Sequence, residues 1–179
     1  MNVKELSLTG ILLSMVLVLA PMTVPLGIVP FSMQTFIIPM AVCLLSRRNG
    51  LLLVAAYLLL GGFGLPVFAN WHGGWAVFAG PTGGYLIGLL AFPLIVGRLG
   101  QAKNEWLTVT VSLLLAGTLQ LFIGGIWLAN IMHTSLIAGL QMGVFPFVLM
   151  MFVKTAAVMS VLKIIAQRKI LTNIVKDVI

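Results

Sequence analysis

Residues 106–129 read WLTVTVSLLLAGTLQLFIGGIWLA, a stretch without a single Asp, Glu, Lys or Arg. A helix that crosses roughly 30 Å of hydrocarbon needs about 20 mainly apolar residues, so the stretch predicts a transmembrane helix. Five more apolar runs of suitable length lie at 6–21, 32–47, 50–66, 83–99 and 144–166. The sequence therefore predicts an all-α, polytopic membrane protein, in which six transmembrane helices form a single domain over residues 1–179.

The composition of the chain agrees with this class and excludes others. Of the 179 residues, 61% are hydrophobic and only 7% are charged, which is too apolar for a soluble domain of this size. The formal net charge is +7, but the basic residues are scattered singly or in pairs and form no stripe that could follow nucleic acid. Cys43 is the single cysteine, so neither an internal disulfide nor a cysteine-based metal site is available, and no cofactor is expected.

The positions of the charged residues predict the orientation of the chain. Basic residues precede the first run, separate the second from the third and the fourth from the fifth, and follow the last: Lys4, Arg47, Arg48, Arg98, Lys103, Arg168, Lys169 and Lys176. The alternate loops, near 22–31, 67–82 and 130–143, contain no charged residue. Because cytoplasmic loops retain Lys and Arg, both ends are predicted to be cytoplasmic. The acidic residues Glu5, Glu105 and Asp177 fall on the same side and are expected to be solvated.

Two lysines lie inside the last apolar run, where an ionised side chain is costly. Lys163 is near the cytoplasmic end and is expected to extend its ammonium to the headgroups. If the helix begins at Pro146, a favoured first-turn residue, Lys154 lies about 12 Å inside from the outer end. No carboxylate within a span can neutralise Lys154, so the sequence favours a bound anion over a neutral amine, assisted by the positive end of the helix.

The predicted outer loop at 61–75, GGFGLPVFANWHGGW, is rich in glycine and aromatic residues. Its Asn70 offers donors and an acceptor to a neutral, amide-like ligand. The alternative is an interfacial loop in which Trp71 and Trp75 form an aromatic belt, and the sequence leaves the two open. The two histidines, His72 and His133, are interpreted as interfacial residues, because no third metal ligand stands at a recognisable spacing.

Small residues mark two places where helices can approach closely. Thr82 is expected to cap the fourth helix, and Gly84 and Gly88 form a small-xxx-small face on it. Gly10 and Ser14 form a similar strip on the first helix, and the spacing does not say whether the neighbour belongs to this chain or to a partner.

Several separated motifs, in order, resemble those of the BioY family, the biotin-binding S components of energy-coupling factor (ECF) vitamin transporters. They are VPFSMQT at 29–35, YLLLG at 57–61, GLPVFA at 64–69, GPTGGYLIG at 80–88, and GVFPF at 143–147 followed by Lys154. The resemblance covers nearly the whole chain. It implies a multi-pass protein of the bacterial cell membrane, surrounded by lipid, that captures biotin at the outer face for ATP-driven uptake. The implied partners are an ECF transmembrane coupling protein and two ABC-type ATPase subunits.

The resemblance also implies roles for individual residues. Lys154 matches the lysine of the family's last helix and is expected to pair with the biotin carboxylate. Asn70 is expected to hydrogen-bond the polar head of the ligand, and four further residues are expected to line the pocket: Gln34, Tyr85, Trp71 and Phe31. The strip formed by Gly10 and Ser14 is expected to dock on the coupling protein.

One residue departs from the family pattern, which usually has an aspartate three residues before the lysine, where this chain has Met151. Either the Lys154 ammonium is more available to a ligand carboxylate, or the ligand is another small carboxylated vitamin. A solitary biotin facilitator also remains open. An enzyme, or a carrier driven alone by ions, is not expected, because the spans contain no acidic residue and no core histidine.

Overall fold

The computed structural model describes residues 3–24, 29–99 and 105–167. The helices, in chain order, are α1 (Val3–Leu19), α2 (Gln34–Cys43), α3 (Arg47–Gly62), α4 (Gly83–Gly88), α5 (Ala91–Leu99), α6 (Glu105–Ile131), α7 (Leu136–Gly143) and α8 (Phe145–Gln167). Strands β1 (Thr23–Val24) and β2 (Phe31–Ser32) pair antiparallel between α1 and α2. Two short 3-10 helices, Ala69–Trp71 and Trp75–Val77, interrupt the connection from α3 to α4. The mainly helical fold predicted from the sequence is confirmed.

The structure corrects two of the predicted segments. The run at 83–99 is not one helix, because it breaks between Gly88 and Ala91 into α4 and α5. Pro93 lies in the first turn of α5, where its missing N–H does not cost a helical hydrogen bond. The segment 130–143 was predicted to be a loop, but it contains α7, whose first turn is capped by the Ser135 side chain.

Two stretches of the described chain are long and apolar enough to cross a membrane by themselves, Trp106–Ile131 (26 residues) and Leu136–Gln167 (32 residues). The second of these comprises α7 and α8. With 17 and 16 residues, α1 and α3 are shorter. The apolar helix Gln34–Cys43 and the apolar stretch Gly83–Val96, which includes the break between α4 and α5, are shorter still.

Helix α6 packs against α4, α5, α7 and α8, and α1 packs against α2 and α3. Close approach to α6 depends on glycine. A Cβ atom on Gly84 would overlap the Cβ of Trp127 and lie 2.9 Å from the carbonyl oxygen of Ile123. The small face predicted at Gly84 and Gly88 therefore forms a helix contact, because α4 packs directly against the α6 backbone there. Thr82 occupies the N-cap position of α4, but its side chain does not make the predicted capping hydrogen bond.

Two hydrogen-bonded contacts bring together the segments at each end of the bundle. Near the start of α1, the Glu5 carboxylate accepts a hydrogen bond from the buried Asn49 amide of α3 at 3.4 Å. At the other end, Thr23 of β1 donates to Asn70. Lys4, Arg47 and the start of α3 thus share one end with Glu5, while the segments that carry Thr23 and Asn70 meet at the other.

Substituting Gly84 by alanine tests the helix contact. We expect Gly84→Ala to destabilise the protein by about 1–3 kcal/mol, because the added methyl group meets main-chain and Cβ atoms that cannot move independently of α6. Thermal unfolding of the purified protein in detergent is the measurement.

Gly10→Ala is the matched control. A Cβ on Gly10 has no other atom within 4 Å, and alanine is the better helix former by about 1 kcal/mol. Equal unfolding temperatures for the two variants would contradict the close packing of α4 on α6.

Candidate ligand-binding site

A cavity of about 500 Å³ lies inside the bundle, near the end that carries the uncharged loops. Its wall is formed by residues 29–35, the loop 68–82, α4, α6 and α8. Most of the lining is apolar, with polar groups from a few side chains: Ser32, Gln34, Thr35, Asn70, His72, Thr82, Tyr85, Gln120, Lys154 and Thr155. Pockets of about 300–1,000 Å³ with an apolar lining and few polar groups are typical of small-molecule sites.

Lys154 is buried in the wall of this cavity, with 9% of its surface exposed. Its ammonium donates a hydrogen bond to the Ser32 carbonyl oxygen at 2.5 Å and another to the Thr35 hydroxyl. It also lies 3.8 Å from the centre of the Phe31 ring, in cation–π geometry. All these partners are neutral, so the lysine is hydrogen-bonded but its charge is not balanced by a carboxylate within the described ranges.

A network of buried polar groups holds the segment that carries these partners. The Ser32 hydroxyl donates to Gln34 Oε1 at 3.0 Å, and Gln34 Nε2 donates to the Tyr57 hydroxyl. That hydroxyl donates in turn to the Val67 carbonyl oxygen at 2.8 Å. The amide of Gln34 is therefore used to join β2, α2 and α3, and its position at the cavity wall is fixed.

Asn70 reaches the cavity from a left-handed backbone conformation, with φ at 58°. Asparagine tolerates this conformation better than most residues. Its backbone N–H donates to the Pro21 carbonyl oxygen at 3.2 Å, and its Oδ1 accepts from the Thr23 hydroxyl. These contacts commit the acceptor of the side chain and leave the amide Nδ2 donor for other partners.

Tyr85 of α4 also lines the cavity, and its hydrogen bonds join α4 to α6 and α7. Its hydroxyl donates to the Gly143 carbonyl oxygen of α7 at 2.7 Å. Its own carbonyl oxygen accepts a hydrogen bond from Gln120 of α6 at 3.0 Å. A Cβ atom on Gly124 would overlap the Tyr85 ring, so that glycine makes room for the aromatic side chain.

Five of the six predicted binding residues line this one cavity: Phe31, Gln34, Asn70, Tyr85 and Lys154. Trp71 does not line it. Its side chain is 57% exposed, and its backbone is left-handed like that of Asn70, with φ at 60°. Met151 does line the cavity and packs beside Gly117 and the Thr118 hydroxyl.

Six polar lining residues were not predicted to bind the ligand: Ser32, Thr35, His72, Thr82, Gln120 and Thr155. Of these, His72 was interpreted as an interfacial residue and Thr82 as a helix cap. Gln120 carried a readable signal, because an amide in the middle of a charge-free span is costly unless it has a partner or a function. Ser32, Thr35 and Thr155 gave no such signal, since hydroxyls in apolar helices commonly bond to their own backbone.

Ammonium, imidazole, amide and hydroxyl groups are the polar chemistry that the cavity wall supplies. The cavity offers one ammonium, several amides and hydroxyls, and aromatic and aliphatic walls. Within the described residues, no group of three or more His, Cys, Asp and Glu side chains lies close enough together to hold a metal ion.

Comparison with known proteins gives a consistent result. A sequence model of the BioY family matches residues 1–170. The biotin transporter BioY of Thermotoga maritima is 36% identical over 145 residues, which cover 81% of this chain and 85% of that protein. The probable biotin transporter BioY of Pyrococcus horikoshii is 36% identical over 170 residues, which cover 94% of this chain and 97% of the relative.

A solved structure agrees with the fold. The crystal structure of the S-component for biotin from an ECF-type ABC transporter superposes with a TM-score of 0.75 at 29% identity, over 90% of this chain and 92% of that one. The match of the family model and the near full-length relatives together show that this chain belongs to the BioY family.

Proposed function

We propose that this chain is the membrane-embedded substrate-binding (S) component that captures biotin at the outer face for ATP-driven uptake with ECF partner subunits. The observation that carries the proposal is the buried Lys154 ammonium, which faces an apolar cavity and has only neutral partners among the described residues. The names of the relatives and the matched S-component support the choice of ligand.

Biotin fits the chemistry of the cavity. Its fused rings and alkyl chain are apolar and suit the aliphatic and aromatic walls, while its carboxylate can form a charge-assisted pair with Lys154. When biotin binds, the Lys154 ammonium exchanges contacts with neutral groups of Ser32, Thr35 and Phe31 for a contact with a full negative charge. In this arrangement the ureido carbonyl oxygen accepts a hydrogen bond from Asn70 Nδ2, which has no other described partner.

Titration calorimetry with biotin, biotin amide and biotinol tests the ligand and the charge pair together. We expect biotin to bind tightly and the two neutral analogues weakly. We expect Lys154→Ala to reduce the free energy of biotin binding by about 2–5 kcal/mol, the range for removing one partner of a buried charge pair.

Lys163→Ala is the matched control, because Lys163 lies on the same helix with an exposed side chain. It should bind biotin as the unmodified protein does. Equal binding of all three compounds would contradict the charge pair. If none of them binds, the ligand is instead another small carboxylated vitamin, and the replacement of the family's usual aspartate by Met151 accounts for the change.

We also propose six membrane crossings with both ends in the cytoplasm of a bacterial cell. The crossings are α1, α2, α3, α4 with α5, α6, and α7 with α8. The contacts between Glu5 and Asn49 and between Thr23 and Asn70 support this arrangement, since they bring the basic starts of α1 and α3 to one end and the uncharged loops that follow these two helices to the other.

Cysteine labelling tests the topology. In a Cys43→Ser background, we expect Trp71→Cys to react with a membrane-impermeant maleimide added to intact cells. Arg47→Cys should react only after the cells are permeabilised; both positions are exposed, so access alone decides the result. Labelling of Arg47→Cys in intact cells would contradict the orientation.

The partners are proposed to be an ECF transmembrane coupling protein and two ABC-type ATPase subunits, with α1 as the docking helix. Gly10 and Ser14 both lie on the exposed side of α1, and the Ser14 hydroxyl is bonded to the Gly10 carbonyl oxygen of its own helix at 3.0 Å. The strip is therefore smooth and has no polar group that needs a partner, which permits close helix packing.

Bulky substitution of the strip separates docking from binding. We expect Gly10→Leu to abolish ATP-driven biotin uptake in proteoliposomes containing the whole complex, while biotin binding by the isolated subunit is unchanged. Ser160→Leu, on the exposed side of α8, is the control and should transport normally. Full uptake by Gly10→Leu would exclude the strip, and uptake without the partner subunits would indicate a solitary facilitator.

A further inference from the structure

Helix α6 places one amide, Gln120, in the wall of the cavity. The side chain is 3% exposed and lies in the middle of the charge-free span Trp106–Ile131. A Cβ atom on Gly88 would lie 2.9 Å from Gln120 Cγ, so the glycine of α4 provides the space that this side chain occupies.

The orientation of the Gln120 amide is fixed by its contact with α4. Nε2 donates to the Tyr85 carbonyl oxygen at 3.0 Å, and a carbonyl oxygen can only accept. The reverse orientation would place two acceptors against each other. The amide oxygen Oε1 is therefore the end that is available to other groups.

Within the part of the chain that the structure describes, Oε1 of Gln120 has no hydrogen-bond partner. It is not an enclosed, unsatisfied atom either, because no fully buried side-chain oxygen or nitrogen in that part lacks a partner. Since the residue lines the cavity and is otherwise buried, Oε1 is open to the cavity.

The other amide oxygens of the lining each already accept one hydrogen bond from within the protein. Gln34 Oε1 accepts from the Ser32 hydroxyl, and Asn70 Oδ1 accepts from the Thr23 hydroxyl. Met151 contributes a thioether, which is a weak acceptor. Among the amide oxygens of the lining, Gln120 Oε1 is therefore the one that accepts no hydrogen bond from the described residues, so it is available to an N–H group of a ligand.

We propose that Gln120 Oε1 accepts a hydrogen bond from an N–H group in the head of the ligand and so selects ligands that carry this donor. The assignment rests on the proposed function, in which the donor is a ureido N–H of biotin. Asn70 and Gln120 then divide the ureido ring between them, with a donor from Asn70 to its carbonyl oxygen and an acceptor from Gln120 to one N–H.

This arrangement discriminates against ligands that lack the N–H group, because binding them leaves Gln120 Oε1 without a hydrogen-bond donor. A ligand whose N–H is replaced by an N-methyl group leaves a buried amide oxygen without a partner and also adds volume against α6. Sites built to hydrogen-bond a ligand group reject analogues without it far more strongly than apolar pockets reject a change of one methylene.

Calorimetric titration with biotin and with biotin methylated on either ureido nitrogen tests the assignment. For the unmodified protein we expect one methylated compound to bind about 10- to 100-fold more weakly than biotin. In Gln120→Met, which is unbranched and similar in shape, we expect biotin affinity to fall by a similar factor and the discrimination between the two compounds to shrink to about threefold or less.

Two further variants separate recognition from packing. Gln120→Glu retains an acceptor oxygen towards the cavity, while its protonated carboxyl group donates its O–H to the Tyr85 carbonyl oxygen in place of Nε2. It should therefore keep the preference for biotin over the methylated compound. Loss of this preference in Gln120→Glu would show that an acceptor at this position does not select the N–H group, and it would overturn the proposal. Gln141→Met, on the exposed side of α7, is the matched control and should bind like the unmodified protein.

Unchanged discrimination in Gln120→Met would remove Gln120 from the site while leaving biotin binding established. Absence of biotin binding by the unmodified protein would instead overturn the proposed function and this assignment together.

Discussion

The buried ammonium of Lys154 is the constraint on which the site depends. A cation inside a membrane helix must be paired, solvated or hydrogen-bonded, and here a carbonyl, a hydroxyl and an aromatic face perform that task. All three come from residues 31–35, at the junction of β2 with α2. The contact joins segments separated by 122 residues in the sequence and fixes one wall of the cavity. Neutral partners satisfy the geometry of the lysine but leave its charge available to an anionic ligand.

The remainder of the cavity wall depends on irregular backbone in helical surroundings. The break between α4 and α5, the left-handed Asn70 and the short strands β1 and β2 all lie where the chain lines the cavity or supports it. Non-helical backbone at such a place is tolerated because its polar groups bond within the protein, as Asn70 does to Pro21 and Thr23. Glycines at the contacts of α6 then bring α4 and α8 close enough to enclose the cavity.

The helical class and most helix positions could be predicted because long charge-free runs have few alternatives. Helix α7 could not, since its eight residues do not form a span and lie in a segment that resembles a loop. Pro93 was a readable mark of the break before α5, because proline favours the first turn of a helix. Local chemistry singled out Lys154 and Asn70, and both lie in the cavity wall. The roles of Ser32 and Thr35 could not, since they depend on a contact with a distant helix. Trp71, expected in the pocket, lies outside it with an exposed side chain, at the second of two successive left-handed residues, a local backbone conformation that the sequence did not indicate.

A crystal or cryo-electron microscopy structure of the protein with biotin bound in a lipid environment tests the charge pair at Lys154 most directly. The account predicts a carboxylate oxygen of biotin within about 3.2 Å of Lys154 Nζ, inside the cavity between α2, α6 and α8. Biotin bound with its carboxylate remote from Lys154, while the ammonium remains on Ser32 and Thr35 alone, would contradict it.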